Sequence, residues 1–489
     1  MMRSGQIADA VRYAAAHRRR FVTELCDFVR FPSVSADPAH GGDVRRCAEW
    51  LAAHLRALGM PYVGVMETGG PPLVLAAWRH AGPHAPTLLI YGHYDVQPAD
   101  PRDGWHSPPF TPVVRAGAVY GRGACDDKGQ LFAHVKAIEA WLNTAGVLPV
   151  NVLCLFEGEE EVGSERLRAF LRSHGGRLGV DAAAISDTMM RGRGQPAIAH
   201  AVRGQLSFEL EVRGPASDLH SGNFGGAVPN PLDALCRIIA SLWDVRGRIA
   251  VADFYDRVRP VSAASRAYMA RVGPVDADVR RAARVPAGAG ESGYSLYERM
   301  TIRPALTVNG VSGGYAGAGP KAVIPARAAA KLSVRLVPDQ DPREVDRLIR
   351  RHLARVVPHT VRVTMRTSSG VAAAEIDPRH PVVRAAAVAC EQAYGVAPVF
   401  LRIGGTIPVV STLQRDLGIP TVLMGFALPD DGIHGPNEKF EIDNFGKAID
   451  TCVRFLAEAG SLRAVHHRPG RDHSPRVRPP VVAASEVTT

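Results

Sequence analysis

Four short apolar runs, at residues 87–91, 151–156, 182–186 and 420–425, each lead into a group of ionisable side chains. Runs of this length bounded by turns fit strands buried on both faces of a parallel sheet. Helical periodicity lies between them, as at 130–142 and 44–58. One amphipathic helix is expected over 6–31, with Phe21, Leu25, Phe28 and Val29 on a shared face and Pro32 ending it. Alternating strands and helices predict an α/β domain. At 489 residues the chain exceeds what a single hydrophobic core usually serves, so two domains are expected.

The middle of the chain reads differently. Residues 206–212 alternate apolar and polar, as 330–337 do in part, which suits half-exposed strands of an antiparallel sheet. A helix pattern begins at Pro231. The expected organisation is the α/β domain in two parts, 1–203 and 376–463, interrupted by an inserted α+β domain at 204–375. Residues 464–489 are polar and Pro-rich and read as a disordered tail.

Composition narrows the function. The net charge is +10, from 58 Lys and Arg against 48 Asp and Glu, but the Arg residues are spread along the chain. No basic stripe with interleaved aromatics marks a nucleic-acid surface. No apolar run approaches the ~20 residues of a membrane helix, and the N-terminus lacks a signal-peptide core. Seven cysteines, odd in number and without a CxxC pair, suggest neither a disulfide framework nor a thiolate metal site. A reducing, cytoplasmic setting is expected.

The polar groups after the strands carry the chemistry. They contain His93 and Asp95, Asp126 and Asp127, Glu159 to Glu161, Asp187, and His434. Ligands of open α/β sheets bind at the carboxyl ends of strands. Carboxylates gathered in a low-dielectric cleft cannot all stay ionised without a cation. Donors of His, Asp and Glu type suit zinc, and also manganese or cobalt. Two such ions, ~3.5–4 Å apart, can share a carboxylate and a water, while a further carboxylate moves the proton. Each group alone has a plainer reading: a bonded loop pair, an exposed helix start, a helix cap, a strand cap or a surface histidine. Five together favour a site.

These stretches resemble the M20 metallopeptidase family, in its dipeptidase or carnosinase-like branch. The resemblance rests on Gly92-His93-Tyr94-Asp95-Val96-Gln97-Pro98, on Gly121-Arg122-Gly123 through Asp126-Asp127-Lys128-Gly129, and on Glu157-Gly158-Glu159-Glu160-Glu161-Val162-Gly163-Ser164. It extends through Asp218-Leu219-His220-Ser221-Gly222, Arg335-Leu336-Val337-Pro338 and His434-Gly435-Pro436-Asn437-Glu438, in family order from about residue 20 to 460. It implies a zinc-peptidase-like, mostly parallel sheet flanked by helices, with the insertion acting as lid and dimerisation domain. His93, Asp126 and Asp187 would hold one metal ion, and His434, Glu161 and the shared Asp126 the other. Asp95 would orient His93, and Glu160 would be the general base and acid. His220 would reach the active site of the other subunit of a homodimer and stabilise the oxyanion. Arg335 would clasp a substrate carboxylate, with His220, Thr406 and His434 also lining the substrate site.

Two departures bear on substrate choice. Family dipeptidases commonly read Arg-Glu-Gly-Gly-Ser-Ile-Pro where this chain has Arg402-Ile403-Gly404-Gly405-Thr406-Ile407-Pro408, and Ala322 stands where Thr is usual. The expected activity is hydrolysis of an amide bond in a dipeptide or small peptide-like substrate with a free carboxylate. An N-acyl-amino-acid deacylase or a specialised-metabolism amidohydrolase is the alternative, and an inactive binding protein a third reading. No nucleic-acid or membrane partner is expected.

Overall fold

The computed structural model describes residues 4–368 and 370–462, so the expected tail at 464–489 lies outside the described residues. The apolar runs form adjacent parallel strands: Asn151–Glu157, Thr87–His93, Ala182–Ile185 and Thr421–Gly425. Every residue of Thr87–His93, Asn151–Glu157 and Thr421–Gly425 is buried. That burial explains why these strands read as continuous apolar runs. The sheet is extended antiparallel on one side by Leu73–Trp78 and Tyr62–Met66. On the other side it is extended by Ala197–Val202, against which Ala374–Glu375 and Val399–Ile403 lie. Helix Lys128–Ala145 packs against Thr87–His93 and is buried from Lys128 to Trp141.

The N-terminal helix differs from the expectation. It is split into Ser4–Ala16 and Arg18–Val29 at His17, whose ring stacks on Tyr13 at 4.0 Å and whose Nδ1 lies 2.8 Å from the Tyr13 carbonyl oxygen. The ring turns back on the preceding turn and the backbone leaves helical geometry there. The expected face survives the break, since Phe21, Leu25, Phe28 and Val29 are all buried.

A second core is built from alternating residues. In Gly204–Arg213, Leu206, Phe208, Leu210 and Val212 point inward while their neighbours are half-exposed. This strand lies inside a four-stranded antiparallel sheet, ordered Ala305–Gly313, Arg327–Leu336, Gly204–Arg213 and Arg362–Thr367. Residues of helices Pro231–Ala240 and Pro342–Val356 pack on its apolar face. Arg335 pairs in register with Gln205, on the opposite face. The chain leaves the first core after Val202 and enters the second at Leu206; it returns between Met365 and Ala374.

Candidate metal centre

His93 is the last residue of its strand and is fully buried. Its Nδ1 lies 3.1 Å from the Asp95 carbonyl oxygen and 3.4 Å from Asp95 Oδ1. A proton on Nδ1 leaves Nε2 with a free lone pair. That Nε2 faces Asp126 Oδ1 at 3.2 Å and Asp187 Oδ1 at 4.0 Å. His434 comes from the far end of the chain, and its Nε2 stands 3.0 Å from Asp126 Oδ2 and 3.4 Å from Glu161 Oε2. Asp126 therefore turns one oxygen to each imidazole. Ligand atoms of His93, Glu160 and Asp187 lie within 4.8 Å of one another, and so do those of Asp126, Glu161 and His434.

The turns that present these groups are braced by side chains. Asp95 accepts from the amides of Glu160 and Glu161 at 3.2 Å each, and from Ser35 Oγ at 2.6 Å. One carboxylate thus faces His93 and anchors the Glu160–Val162 turn. Gln97 Nε2 donates to Glu161 Oε2 at 2.8 Å. Glu438 is fully buried and accepts from Arg122 Nη1, Gly123 N, Cys125 N and Asp126 N at 2.8, 3.0, 2.9 and 3.0 Å. These bonds shape the loop that ends in Asp126. Sequence reasoning gave Glu438, Ser35 and Gln97 no role, although Gln97, Glu438 and Arg122 all stood in motif stretches. Asp127 stands at the N-cap of the helix that follows, but its side chain makes no cap bond; its Oδ2 accepts from His93 N at 3.2 Å.

The electrostatics show what the cluster lacks. Burial, reinforced by the charge of Asp126, pushes the Asp187 carboxyl up to about 8. Burial also drives Glu160 well above the usual carboxylate range. Hydrogen bonds to Asp126 and Glu161 pull His434 up to about 10. Burial opposes charge on His93, but Asp126, Asp95 and Asp187 hold its imidazole well above the ordinary value. Burial likewise opposes charge on Asp126, and the two imidazoles overcome it. The charges acting most strongly on Asp187 and Glu160 are imidazoles and other carboxylates, not Lys or Arg. With protein groups alone, protonation balances the cluster. His93 Nε2 and Glu161 Oε1 are buried and make no hydrogen bond. Orphaned acceptors and surplus negative charge both fit divalent cations.

The substrate-side residues fall into two places. Arg335 Nη1 donates to Thr406 Oγ1 at 2.7 Å, joining two residues 71 positions apart. His220 is exposed, and its Nδ1 accepts from Gly222 N at 3.0 Å. It is not bonded to Asp218, whose Oδ1 accepts instead from Ala326 N. Among the described residues, no ion pair or hydrogen bond joins His220 to the metal-ligand cluster. Ile403 ends its strand packed on the first core. At Ala322 the backbone is what is used, its carbonyl oxygen accepting from Ser221 N.

A mostly parallel sheet whose strand ends gather imidazoles and carboxylates around one shared aspartate defines a metal-dependent hydrolase. The chain belongs to Peptidase family M20/M25/M40, whose family model matches residues 89–458. It is 33% identical over 457 residues to the Cys-Gly metallodipeptidase dug1 of Schizosaccharomyces pombe, covering 90% of this chain and 96% of that protein. The crystal structure of human carnosine dipeptidase 1 is similar at a TM-score of 0.82 and 30% identity, covering 93% and 99% of the two chains. An M20 family metallo-carboxypeptidase from Sulfolobus solfataricus matches with the same TM-score at 32% identity, covering 90% and 99%. The protein is an enzyme that hydrolyses peptide bonds with the help of metal ions. The deacylase alternative is not favoured by these relatives. No helix of the described residues is long and apolar enough to cross a membrane.

Proposed function

We propose that the chain is a dipeptidase for substrates with a free carboxylate, and that it holds two zinc ions per subunit. The carrying observation is Asp126, which presents one oxygen to His93 and the other to His434 in a cluster short of positive charge. His93, Asp126 and Asp187 would hold one ion, and Asp126, Glu161 and His434 the other. Bound there, the two cations supply an acidified water and a polarised carbonyl. Glu160, half-buried beside His93 and Asp187, takes the proton of the attacking water and returns it to the leaving nitrogen. Asp95 fixes the His93 tautomer and the turn on which Glu160 rides. Arg335, steadied by Thr406, clasps the carboxylate of the substrate.

The role of His220 requires a partner. It is exposed and apart from the cluster of its own chain, which supports its reaching the oxyanion formed in another subunit. We therefore assign a homodimer through the inserted unit, 204–375, with 1–203 and 376–463 forming the catalytic unit. Seven free cysteines, six of them buried, support a reducing cytoplasmic location.

The test is a substrate panel of Cys-Gly, β-Ala-His and N-acetylated amino acids, assayed after exhaustive chelation and after reloading with zinc, manganese or cobalt. Chelation abolishes dipeptide hydrolysis and reloading restores it. Full turnover by a preparation shown to be metal-free overturns the assignment.

A further inference from the structure

Arg203 stands where the chain leaves the first core for the second, and none of the motifs assigns it a task. Its guanidinium Nε donates to the Gly404 carbonyl oxygen at 3.0 Å. Nη1 lies at longer range from the carbonyl oxygens of Arg299 and Arg303, 3.5 and 3.4 Å. Its backbone N–H donates to the Gly405 carbonyl oxygen at 3.0 Å. Its own carbonyl oxygen accepts from Thr406 Oγ1 at 2.7 Å, and that hydroxyl oxygen accepts from Arg335 Nη1. One residue therefore holds Gly404 through its guanidinium and Gly405 and Thr406 through its backbone, and through Thr406 it is linked to Arg335.

The strand that delivers this turn is held along both edges. Strand Val399–Ile403, which delivers the turn, pairs with Ala197–Val202 on one edge. Its other edge is closed by side chains of the second unit. Tyr268 Oη accepts from Phe400 N at 2.9 Å, and Tyr297 Oη accepts from Arg402 N and donates to the Arg402 carbonyl oxygen. Gly404 fits tightly: a Cβ there would stand 2.6 Å from the Met300 carbonyl oxygen and 3.2 Å from Arg203 Nη2. Neither guanidinium has a protein counter-charge, since no Asp or Glu among the described residues acts on Arg203 or Arg335. Burial, helped by Arg335, lowers the Arg203 pKa to about 10. Two adjacent, largely desolvated guanidiniums without a carboxylate are the positive counterpart of the metal cluster, and an anion resolves them.

We propose that Arg203 is a positioning residue of the substrate-carboxylate subsite: it fixes the Gly404–Gly405–Thr406 turn so that Thr406 holds Arg335 toward the bound carboxylate. This rests on the reading that Arg335 clasps that carboxylate. A Lys at 203 keeps the charge but cannot make the same fork of donors, so R203K separates placement from charge.

Kinetics on Cys-Gly and on its C-terminal amide test this, with metal content and melting temperature measured for every variant. R203K and R203M should raise KM for the acid on the order of tenfold, the scale of a lost charge-assisted contact. Values for kcat, and KM for the amide, should stay within about threefold. Arg335→Lys is the control for the underlying reading. If it treats acid and amide alike, the clasp itself is wrong. If Arg335→Lys discriminates while the Arg203 variants lose acid and amide equally, or lose neither, the role of Arg203 is overturned. Should R203M fail to fold, R203K still tests the guanidinium bond to Gly404, and T406V cuts the next link, from Thr406 to Arg335. An acid-selective rise in KM for T406V is expected, and a T406V enzyme whose KM for the acid is unchanged, or rises equally for acid and amide, overturns the inference.

Discussion

Glu24, His54 and Glu139 gather as closely as the strand-end residues do, their candidate ligand atoms also lying within 4.8 Å. By residue type alone, both groups offer a set of metal ligands. Around Glu24 and Glu139, however, the protein supplies its own cations. Lys136 Nζ reaches Glu24 at 2.5 Å and Glu139 at 2.7 Å, and Arg20 pairs with both carboxylates. Lys136 also donates to His54 Nε2 at 2.7 Å. Burial, with Lys136 beside it, pushes His54 down to about 4, so its imidazole is neutral. Two carboxylates meet two cations and the account closes. At the strand ends the reverse holds: His434 is pulled up to about 10 and Asp187 pushed up to about 8. The contrast teaches that a metal site is marked by the charge its ligands leave unbalanced, not by the ligands alone.

If this contrast is right, changes in the two clusters should separate activity from stability. The largest effect is expected for Glu160→Gln. It keeps the ligand atoms and removes the proton carrier, so kcat should fall ~10²–10⁴-fold, with metal content by atomic emission nearly unchanged. Near-normal turnover would assign the proton to another group. Next, His220→Ala should lose ~10²–10³-fold in kcat as an oxyanion donor is removed. Mixing it with Glu160→Gln should recover activity, because one subunit supplies Glu160 and the other His220. An inert mixture after verified subunit exchange would confine His220 to its own chain or leave it idle.

A smaller effect is expected one step out from the cluster. Glu438→Gln disturbs the four donors that shape the Asp126 loop, and metal affinity should drop ~10–100-fold. Competition with a chromophoric chelator measures it, and unchanged affinity would reduce Glu438 to packing. The smallest effect on turnover belongs to the closed cluster. Lys136→Met should leave kcat and metal content unchanged but lower stability in urea titration. The loss is bounded by the ~3–5 kcal/mol of a broken buried pair, because Arg20 still reaches both carboxylates. Loss of bound metal in this variant would erase the distinction between the clusters.

The parallel strands were legible because both their faces are buried, so the run from Leu88 to Tyr91 is continuously apolar. The candidate ligands were legible because the sheet sends its strand ends to one place. Strand Tyr62–Met66 was not, since its residues are uniformly half-buried and show no alternation. The break at His17 depends on how one ring folds back on Tyr13, which periodicity does not encode. Glu438 and Arg203 escaped for a different reason. Glu438 acts on Cys125 across 313 positions and Arg203 on Gly404 across 201. Their worth lies in backbone groups brought near only by folding. The same holds for the contrast above, because the sequence shows His54 and Glu139 but not that Lys136 stands between them.

The placement of strand Thr421–Gly425 has a consequence during synthesis. It lies between Ala182–Ile185 and Ala197–Val202, in the middle of the catalytic sheet. Ribosomes elongate at ~5–20 residues per second. The open edge of Ala182–Ile185 must therefore wait on the order of ten seconds or more for its neighbour, while the whole inserted unit is made. An unpaired edge of that kind is a template for wrong pairing and a natural point for chaperone capture. His434 and Glu438 arrive only with the same late segment. On the proposed ligand set, a nascent chain therefore cannot assemble the candidate two-metal centre before residue 434 has been made, by which point strand Thr421–Gly425 is available to close the sheet.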